Sequence, residues 1–271
     1  MLYDLHVHTN YSDGLFNPAR VVQNAIERKI SAIAITDHDS IDGIEEAILE
    51  GQKYNNIEII PGIEFGCVYK NEEVHILGLF IDYKDERIIN KTKILKDERK
   101  KRGLRMIQLL KDLGMKITVE DVMEFSRDDY IGRPHIARAL MKAGYVDNIQ
   151  EAFNRYLARG KPGYSERFSF SIKEVIDLIK DLGGISSLAH PGLLNNTNII
   201  DYCISQGIQG IECSHSKHSL LQSRSFKKIA KKNNLLITGG SDCHGEISNG
   251  ELLLGKYGVG EEDFLKLKEG L

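Results

Sequence analysis

Histidine, aspartate and glutamate residues gather in short clusters at the ends of apolar runs. In Asp4-Leu5-His6-Val7-His8 the two histidines are two residues apart, so on a strand both imidazoles project to one face while Leu5 and Val7 project to the other. Two imidazoles on one face make a clamp for a metal ion. Asp13, in the turn Tyr11-Ser12-Asp13-Gly14, is a carboxylate that can fold back to the same place, or serve only as a turn residue. A second cluster, Thr36-Asp37-His38-Asp39-Ser40, follows the apolar run Ala32-Ile33-Ala34-Ile35. His38 is the candidate ligand there. Asp37 or Asp39 would accept from its imidazole N–H, with helix capping as the alternative role for Asp39 or Ser40. Glu64 ends the stretch before Phe65 and can bridge two ions, and His75 sits inside the apolar run Val74-His75-Ile76-Leu77 as ligand or as a satisfied core histidine. His190 ends another run, and Asp242 and His244 repeat the two-residue spacing in Gly240-Ser241-Asp242-Cys243-His244.

His6, His8, Asp13, His38, Glu64, His75, His190, Asp242 and His244 exceed what one ion of about four to six ligands takes, so two or three divalent ions are expected. Ions bridged in this way polarise a phosphoryl oxygen and generate hydroxide near neutral pH.

Such residues must be carried to one place by regular elements. Seven short runs rich in Ile, Val and Leu predict strands at 3–8, 32–36, 58–63, 74–81, 184–189, 207–213 and 235–239. Helical patterns alternate with them, which predicts an α/β fold built on a parallel sheet or barrel. Asn17 with Pro18 reads as an N-cap and first helical residue, and Ser171 opens a helix that ends at Gly183. About a hundred residues separate the fourth strand from the fifth, too many for one crossover. A helical insertion at 83–170 is therefore expected, with the barrel in 1–82 and 171–271. Its first part, 84–112, holds 11 Lys and Arg against 5 Asp and Glu, which is either a solvated helix face or a funnel for an anionic substrate.

The rest of the composition narrows the function by exclusion. The 271 residues carry 36 Lys and Arg, 39 Asp and Glu, and a formal charge of -3, so no global field draws the chain to nucleic acid or anionic lipid. Cys67, Cys203, Cys213 and Cys243 form no CxxC pair, which predicts reduced, packed thiols. With no leader-like start and no apolar run long enough to span a bilayer, a cytoplasmic protein without membrane or obligate protein partner is expected.

The segments Asp-Leu-His-Val-His-Thr, Ile-Thr-Asp-His-Asp, Pro-Gly-Ile-Glu-Phe, Val-His-Ile-Leu-Gly, Ala-His-Pro-Gly and Gly-Ser-Asp-Cys-His-Gly together resemble the polymerase and histidinol phosphatase (PHP) family from end to end. The resemblance implies a distorted seven-stranded (β/α)7 TIM-like barrel with a trinuclear metal centre. On that pattern His6, His8, Glu64 and Asp242 hold one ion, Asp13, His38 and His244 a second, and Glu64, His75 and His190 the third. Manganese is the expected metal, with zinc and iron also possible.

Ile-Gly-Arg133-Pro-His135-Ile-Ala-Arg and Arg-Gly-Lys161-Pro-Gly-Tyr further resemble the family's stand-alone nucleotide phosphoesterases, which include 3',5'-nucleoside bisphosphate phosphatases and 5'-to-3' exonucleases. Independently, Pro134 at a first helical position would make Arg133 the N-cap, so that its guanidinium, the open backbone N–H groups and His135 converge on a phosphate. Lys161 is a second phosphate contact on the resemblance alone. His215 or His218, after the sixth strand, is expected to touch the scissile phosphate or protonate the leaving oxygen. The substrate implied is a phosphorylated nucleotide, by resemblance a nucleoside 3',5'-bisphosphate, or a short 5'-phosphorylated oligonucleotide. Tyr130, Phe153, Tyr156 and Tyr164 are candidates for base stacking or for ordinary packing. Histidinol-phosphate phosphatase is the competing enzyme reading, and a non-catalytic metal-fastened barrel the competing reading from another class.

Overall fold

A computed structural model describes residues 2–126, 131–248 and 250–271. Tyr130 lies outside them. The seven expected strands form one sheet in chain order: β1 (Tyr3–Val7), β2 (Ala32–Ile35), β3 (Glu58–Tyr69), β4 (Glu72–Leu79), β5 (Ile185–Leu188), β6 (Gly210–His215) and β7 (Leu236–Gly240). The chain beyond β7 returns to β1 through a parallel bridge of Cys243 to Val7, with His8 N donating to Cys243 O at 3.0 Å and Asp242 N to His6 O at 2.9 Å. The sheet thereby becomes a nearly closed barrel. Helices α1 (Pro18–Glu27) and α2 (Ile44–Gly51) cover its wall beside β1 to β3. Asn17 caps α1 by accepting from Arg20 N, with Pro18 in the first turn, as its sequence requires.

One strand departs from the expected parallel order. β4 runs antiparallel to both neighbours, because β3 extends six residues past the expected end and turns back through Lys70 and Asn71, both at positive φ. A two-residue loop of this kind is the tight hairpin connection, and it forces reversal. The reversal has two consequences for the site. His75 lies near the beginning of β4, so reversing the strand puts it level with the ends of β1, β2 and β3. The end of β4 is left at the opposite rim, with Leu79 beside Ile185 at the start of β5, and α3 (Glu86–Asp112) carries the chain away from there to the helices that lie between these strands in sequence.

At 27 residues, α3 is about 40 Å long. Its first turns bury Ile88 and Leu95 with the barrel's apolar residues, and its last turns bury Met106, Ile107 and Leu110 in a separate cluster with Ile136, Leu140 and Leu157. That second cluster joins α4 (Val119–Met123), α5 (Arg133–Lys142), α6 (Ile149–Ala152) and a π-turn at Phe153–Leu157. Gly103 marks the contact, since a Cβ there would stand 2.3 Å from Ile131 Cγ2. The chain then comes back down as α7 (Ile172–Asp181), capped at Ser171 through a reciprocal bond with Glu174, and Gly183 takes the left-handed conformation just past its end. Helices α8 (Asn198–Ser205), α9 (Leu220–Asn233) and α10 (Glu261–Glu269) complete the layer. Among the described residues no helix is long and apolar enough to cross a membrane.

β1 is not the simple alternating strand that its sequence suggests. Its register shifts between Asp4 and Val7, and Leu5 and Val7, expected on one face, fall into different clusters: Leu5 with Ala32, Ala34 and Leu77, Val7 with Ile33 and Ile35. A register shift of this kind re-aims side chains. A second shift, between Glu212 and Ser214 in β6, brings both Glu212 and His215 to the same end of the barrel.

Candidate metal centre

Glu64, fully buried at the end of the regular β2-β3 pairing, is the centre about which the other groups are arranged. Its Oε2 stands 2.8 Å from His38 Nδ1 and 3.3 Å from both His6 Nε2 and His8 Nε2, while Oε1 stands 2.8 Å from His75 Nδ1 and 3.0 Å from His190 Nε2. Asp242 Oδ1 lies 3.4 Å from His6 Nε2 and 3.1 Å from His8 Nε2, and Asp13 Oδ1 lies 3.2 Å from His244 Nε2. These atoms fall into mutually close groups: His6, His8, Glu64 and Asp242; His8, Asp13, His38 and His244; and His38, Glu64 and His75. The nine residues singled out in the sequence are thus brought to one end of the barrel, with His8 also entering the second group and His38 the third. His190 approaches through Glu64.

The donor set fits divalent cations. His6 Nε2, His8 Nε2, Asp13 Oδ1 and Glu64 Oε2 are buried and carry no hydrogen bond, although the two imidazole nitrogens each stand 3.3 Å from Glu64 Oε2 and Asp13 Oδ1 stands 3.2 Å from His244 Nε2. Leaving four such atoms unsatisfied costs roughly 4–12 kcal/mol, comparable to the whole stability of a domain. Cations among them remove that cost. Burial opposes charge on His6, but Glu64, Glu212 and Asp242 outweigh it and raise its pKa well above that of a free imidazole; His244 is raised to about 10 against the same burial, chiefly by Asp13 and Asp242. Glu64 is itself held far below the usual carboxylate range in spite of burial, by His38, His75 and His6. The arrangement thus favours positive charge among these groups, which bound cations would supply.

Backbone geometry serves the same end. Asp39, His190 and Asp242 are non-glycine residues at positive φ, at 54°, 29° and 55°, a strained state that clusters at functional sites. Gly240 has no alternative, because a Cβ there would stand 2.3 Å from His6 Cβ and 2.5 Å from His6 N.

Several groups act differently from expectation. Neither Asp37 nor Asp39 accepts from His38. Asp37 is taken by Thr9 N at 2.7 Å, Thr9 Oγ1 at 2.6 Å and Ser12 Oγ at 2.5 Å, which fixes the loop that carries Asp13. Asp39 accepts from Arg99 and Arg167, and its Oδ1 from Gly66 N at 3.1 Å, where the missing Cβ makes room for Arg167. Glu212 was not foreseen. It is fully buried in β6, accepts from His6 Nδ1 at 3.2 Å and from His190 N at 2.7 Å. The available signal was an acid set between the apolar residues Ile211 and Cys213 of the strand.

His215 and His218 part company. His215 Nδ1 accepts from Lys217 N at 3.1 Å, which leaves its Nε2 proton directed at Asp242 Oδ2, 3.3 Å away. His218 has both ring nitrogens engaged with backbone, Nε2 accepting from Gly192 N at 3.1 Å and Nδ1 facing Cys213 O at 3.3 Å. His218 thus bonds only to backbone, whereas one ring nitrogen of His215 reaches Asp242, a candidate metal ligand.

Beside His75 and His190 opens a cleft of about 360 Å³. The insertion contributes Arg133, Arg159 and Tyr164 to its lining, and the barrel Glu72, Glu73 and Leu193. Arg133 occupies the first turn of α5 and is not the N-cap: that position belongs to Gly132, because Pro134 stands second in the helix and His135 Nδ1 turns back to accept from Gly132 N at 3.3 Å. His135 is consequently buried as part of the helix start, away from the expected phosphate contact. Arg133 Nη2 donates to Glu73 Oε2 at 2.6 Å, and its guanidinium lies over Phe153. Of the pair Arg159 and Lys161, the cleft is lined by Arg159, which reaches Asn71 in the β3-β4 turn, while Lys161 is exposed in a turn closed onto Ala158 O. Tyr156 packs with Phe153 against the insertion's apolar cluster.

A mixed barrel that gathers histidines and carboxylates at one rim is the architecture of a metal-dependent phosphoric ester hydrolase. The chain belongs to the PHP family: residues 4–181 match the PHP domain. It is 32% identical to the 3',5'-nucleoside bisphosphate phosphatase of Chromobacterium violaceum, over 89% of this chain and 86% of that protein. It is 30% identical to the 5'-3' exoribonuclease Rnm of Escherichia coli, over 90% of this chain and 85% of that protein. A Bifidobacterium adolescentis chain described as a metal-dependent phosphoesterase superposes with a TM-score of 0.89 at 30% identity, covering 99% of this chain and 96% of that one.

Proposed function

We propose that this hydrolase removes the 3'-phosphate of nucleoside 3',5'-bisphosphates and also acts on short 5'-phosphorylated oligonucleotides. The observation that carries the reading is the cleft in which Arg133 and Arg159 from the insertion face His75 and His190 of the candidate metal centre. Guanidinium groups recognise a phosphate in bidentate fashion. A cleft with phosphate-binding groups at one wall and candidate metal ligands at the other suits a molecule with two phosphates. The similarity to a bisphosphate phosphatase and an exoribonuclease supports the same substrate class.

Bound at His6, His8, Asp13, His38, Glu64, His75, His190, Asp242 and His244, two or three divalent ions, with manganese preferred, would supply a hydroxide nucleophile and neutralise charge on the phosphoryl oxygens. The insertion, residues 83–170, supplies the substrate clamp. His215, whose Nε2 proton points at Asp242, is the histidine we assign to act on the scissile phosphate. The four buried, reduced cysteines suit a cytoplasmic setting. Histidinol phosphate would need an open carboxylate for its amine; Glu72 accepts from the backbone N–H groups of Asn195 and Asn196, and Glu73 pairs with Arg133, whose positive charge beside it disfavours an ammonium group.

Manganese-loaded protein is expected to process adenosine 3',5'-bisphosphate and a 5'-phosphorylated trinucleotide in preference to AMP and histidinol phosphate. A preference for histidinol phosphate would overturn the reading, and inactivity toward all four with metal bound would favour a non-catalytic role. Arg133→Ala should raise KM for the bisphosphate at least about tenfold, the loss of one charge-assisted contact, and leave bound metal unchanged. Unchanged kinetics would remove Arg133 from the clamp.

A further inference from the structure

A second cleft, of about 250 Å³, lies between the β2-α2 loop and the climbing face of α3. Its lining combines Tyr11, Ile41 and Ile89 with the cations Lys93, Lys96 and Arg99 and the carboxylates Asp39 and Asp42. In the order β2-β3-β4-β5 the two clefts flank Glu64 on opposite sides: this one shares Asp39, next to His38 at the end of β2, and the other shares His75 of β4 and His190 after β5. From β2 to β5 is three strand spacings, about 14 Å.

The charge balance here favours an anion. Arg99 and Arg167 both donate to the carboxylate of Asp39. Lys96 meets Asp42 at 3.3 Å in a half-exposed pair worth less than about 1 kcal/mol, which a phosphate can replace. Lys93 is exposed and makes no ion pair among the described residues. Glu46, to which the Tyr11 hydroxyl donates at 3.5 Å, stands at one edge. An aromatic ring and two branched aliphatic side chains beside lysines are the elements of a sequence-tolerant nucleotide subsite, apolar surface for a base and cations for the backbone.

We propose that this cleft binds a second nucleotide, so that an oligonucleotide lies across the metal centre with one residue in each cleft, whereas a mononucleotide occupies only the cleft beside His75 and His190. The proposal rests on the nucleotide reading given above for the metal centre. It also gives the basic face of α3 a role as a track for the chain beyond the scissile phosphate.

The test compares manganese-loaded wild type with the double variant Lys93→Glu/Lys96→Glu, with Tyr11→Leu, and with a control reversal at the exposed far end of α3 and beyond, Lys111→Glu/Lys116→Glu. Binding is measured for a 5'-phosphorylated, phosphorothioate-linked trinucleotide and for adenosine 3',5'-bisphosphate, and kcat/KM for the natural trinucleotide and the bisphosphate. The double variant should weaken trinucleotide binding and lower its kcat/KM by at least about tenfold, and change the bisphosphate by less than about twofold. Tyr11→Leu should weaken the trinucleotide at least about threefold, and the control should change neither ligand by more than about twofold. Equal losses on both ligands, no loss on the trinucleotide, or the same loss in the control would overturn the subsite. Wild type that binds both ligands but hydrolyses neither would overturn the proposed reaction while leaving the subsite standing on its binding data.

Discussion

Glu64→Ala is expected to abolish hydrolysis, lowering kcat at least about a thousandfold, and to strip the protein of most of its bound metal. Five imidazoles approach this one carboxylate within 3.3 Å, and among the described residues it belongs to two of four close donor groups, those that include candidate ligands of the first and third ions. Removing it leaves His6, His8, His38, His75 and His190 facing one another without the charge that draws cations in. Breaking a buried charge arrangement by deleting one partner costs about 3–5 kcal/mol, so the variant's own stability also has to be followed. Glu64→Gln separates the effects, because it keeps the volume and loses the charge. Bound manganese measured by atomic absorption should fall in both variants. Phosphate release should fall with it, and near-normal turnover in Glu64→Gln would overturn the placement of this carboxylate at the centre of the site.

Glu212→Ala is expected to weaken metal binding by about 10–100-fold, the usual effect of removing a group that orients a metal-binding histidine. Glu212 is not in the expected ligand set, although it forms a close donor group with His6 and His215. It accepts from His6 Nδ1 and so sets the tautomer that leaves His6 Nε2 bare toward Glu64 and Asp242, and through His190 N it fixes the strained backbone that carries a second imidazole. One carboxylate thus positions groups from β1 and from the end of β5. Glu212→Gln retains an acceptor oxygen for His6 and should recover part of the affinity, which a residue serving only as packing would not show. Competition against a chelating dye gives the metal affinity without reference to turnover. Equal affinity in wild type and Glu212→Ala would remove Glu212 from any positioning role.

Both predictions concern atoms that meet from separate parts of the chain, and the sequence disclosed them unevenly. His6, His8, His38, Asp242 and His244 stood out because a titratable side chain at the end of an apolar run has few packing explanations. That property is local, and short-range pattern suffices to find it. Glu64 was equally visible, but its place at the centre, facing histidines from four other strands or their ends, depends on how the strands are ordered. Glu212 was hidden because an acid in a strand can face either side, and the shift between Glu212 and Ser214 decides which. His218 looked like a catalytic histidine and is occupied by two backbone groups, one of them from residue 192, far away in the chain.

By itself the sequence determined the seven strands, the helices with their caps at Asn17 and Ser171, the chemical class of the site and the long helical stretch between the fourth and fifth strands, since all of these follow from local periodicity, capping and residue type. Only the tertiary structure decided the reversal of β4, the long ascent of α3 along the barrel wall and the choice of Arg133 and Arg159 over Lys161 as the cations lining the cleft beside His75. The physical reason is range. A strand's direction depends on the two-residue turn at Lys70 and Asn71 and on the neighbours it must pair with, and an arginine's role depends on which carboxylate, sixty or more residues away, the fold brings within reach of it, as with Arg133 on Glu73 and Arg167 on Asp39.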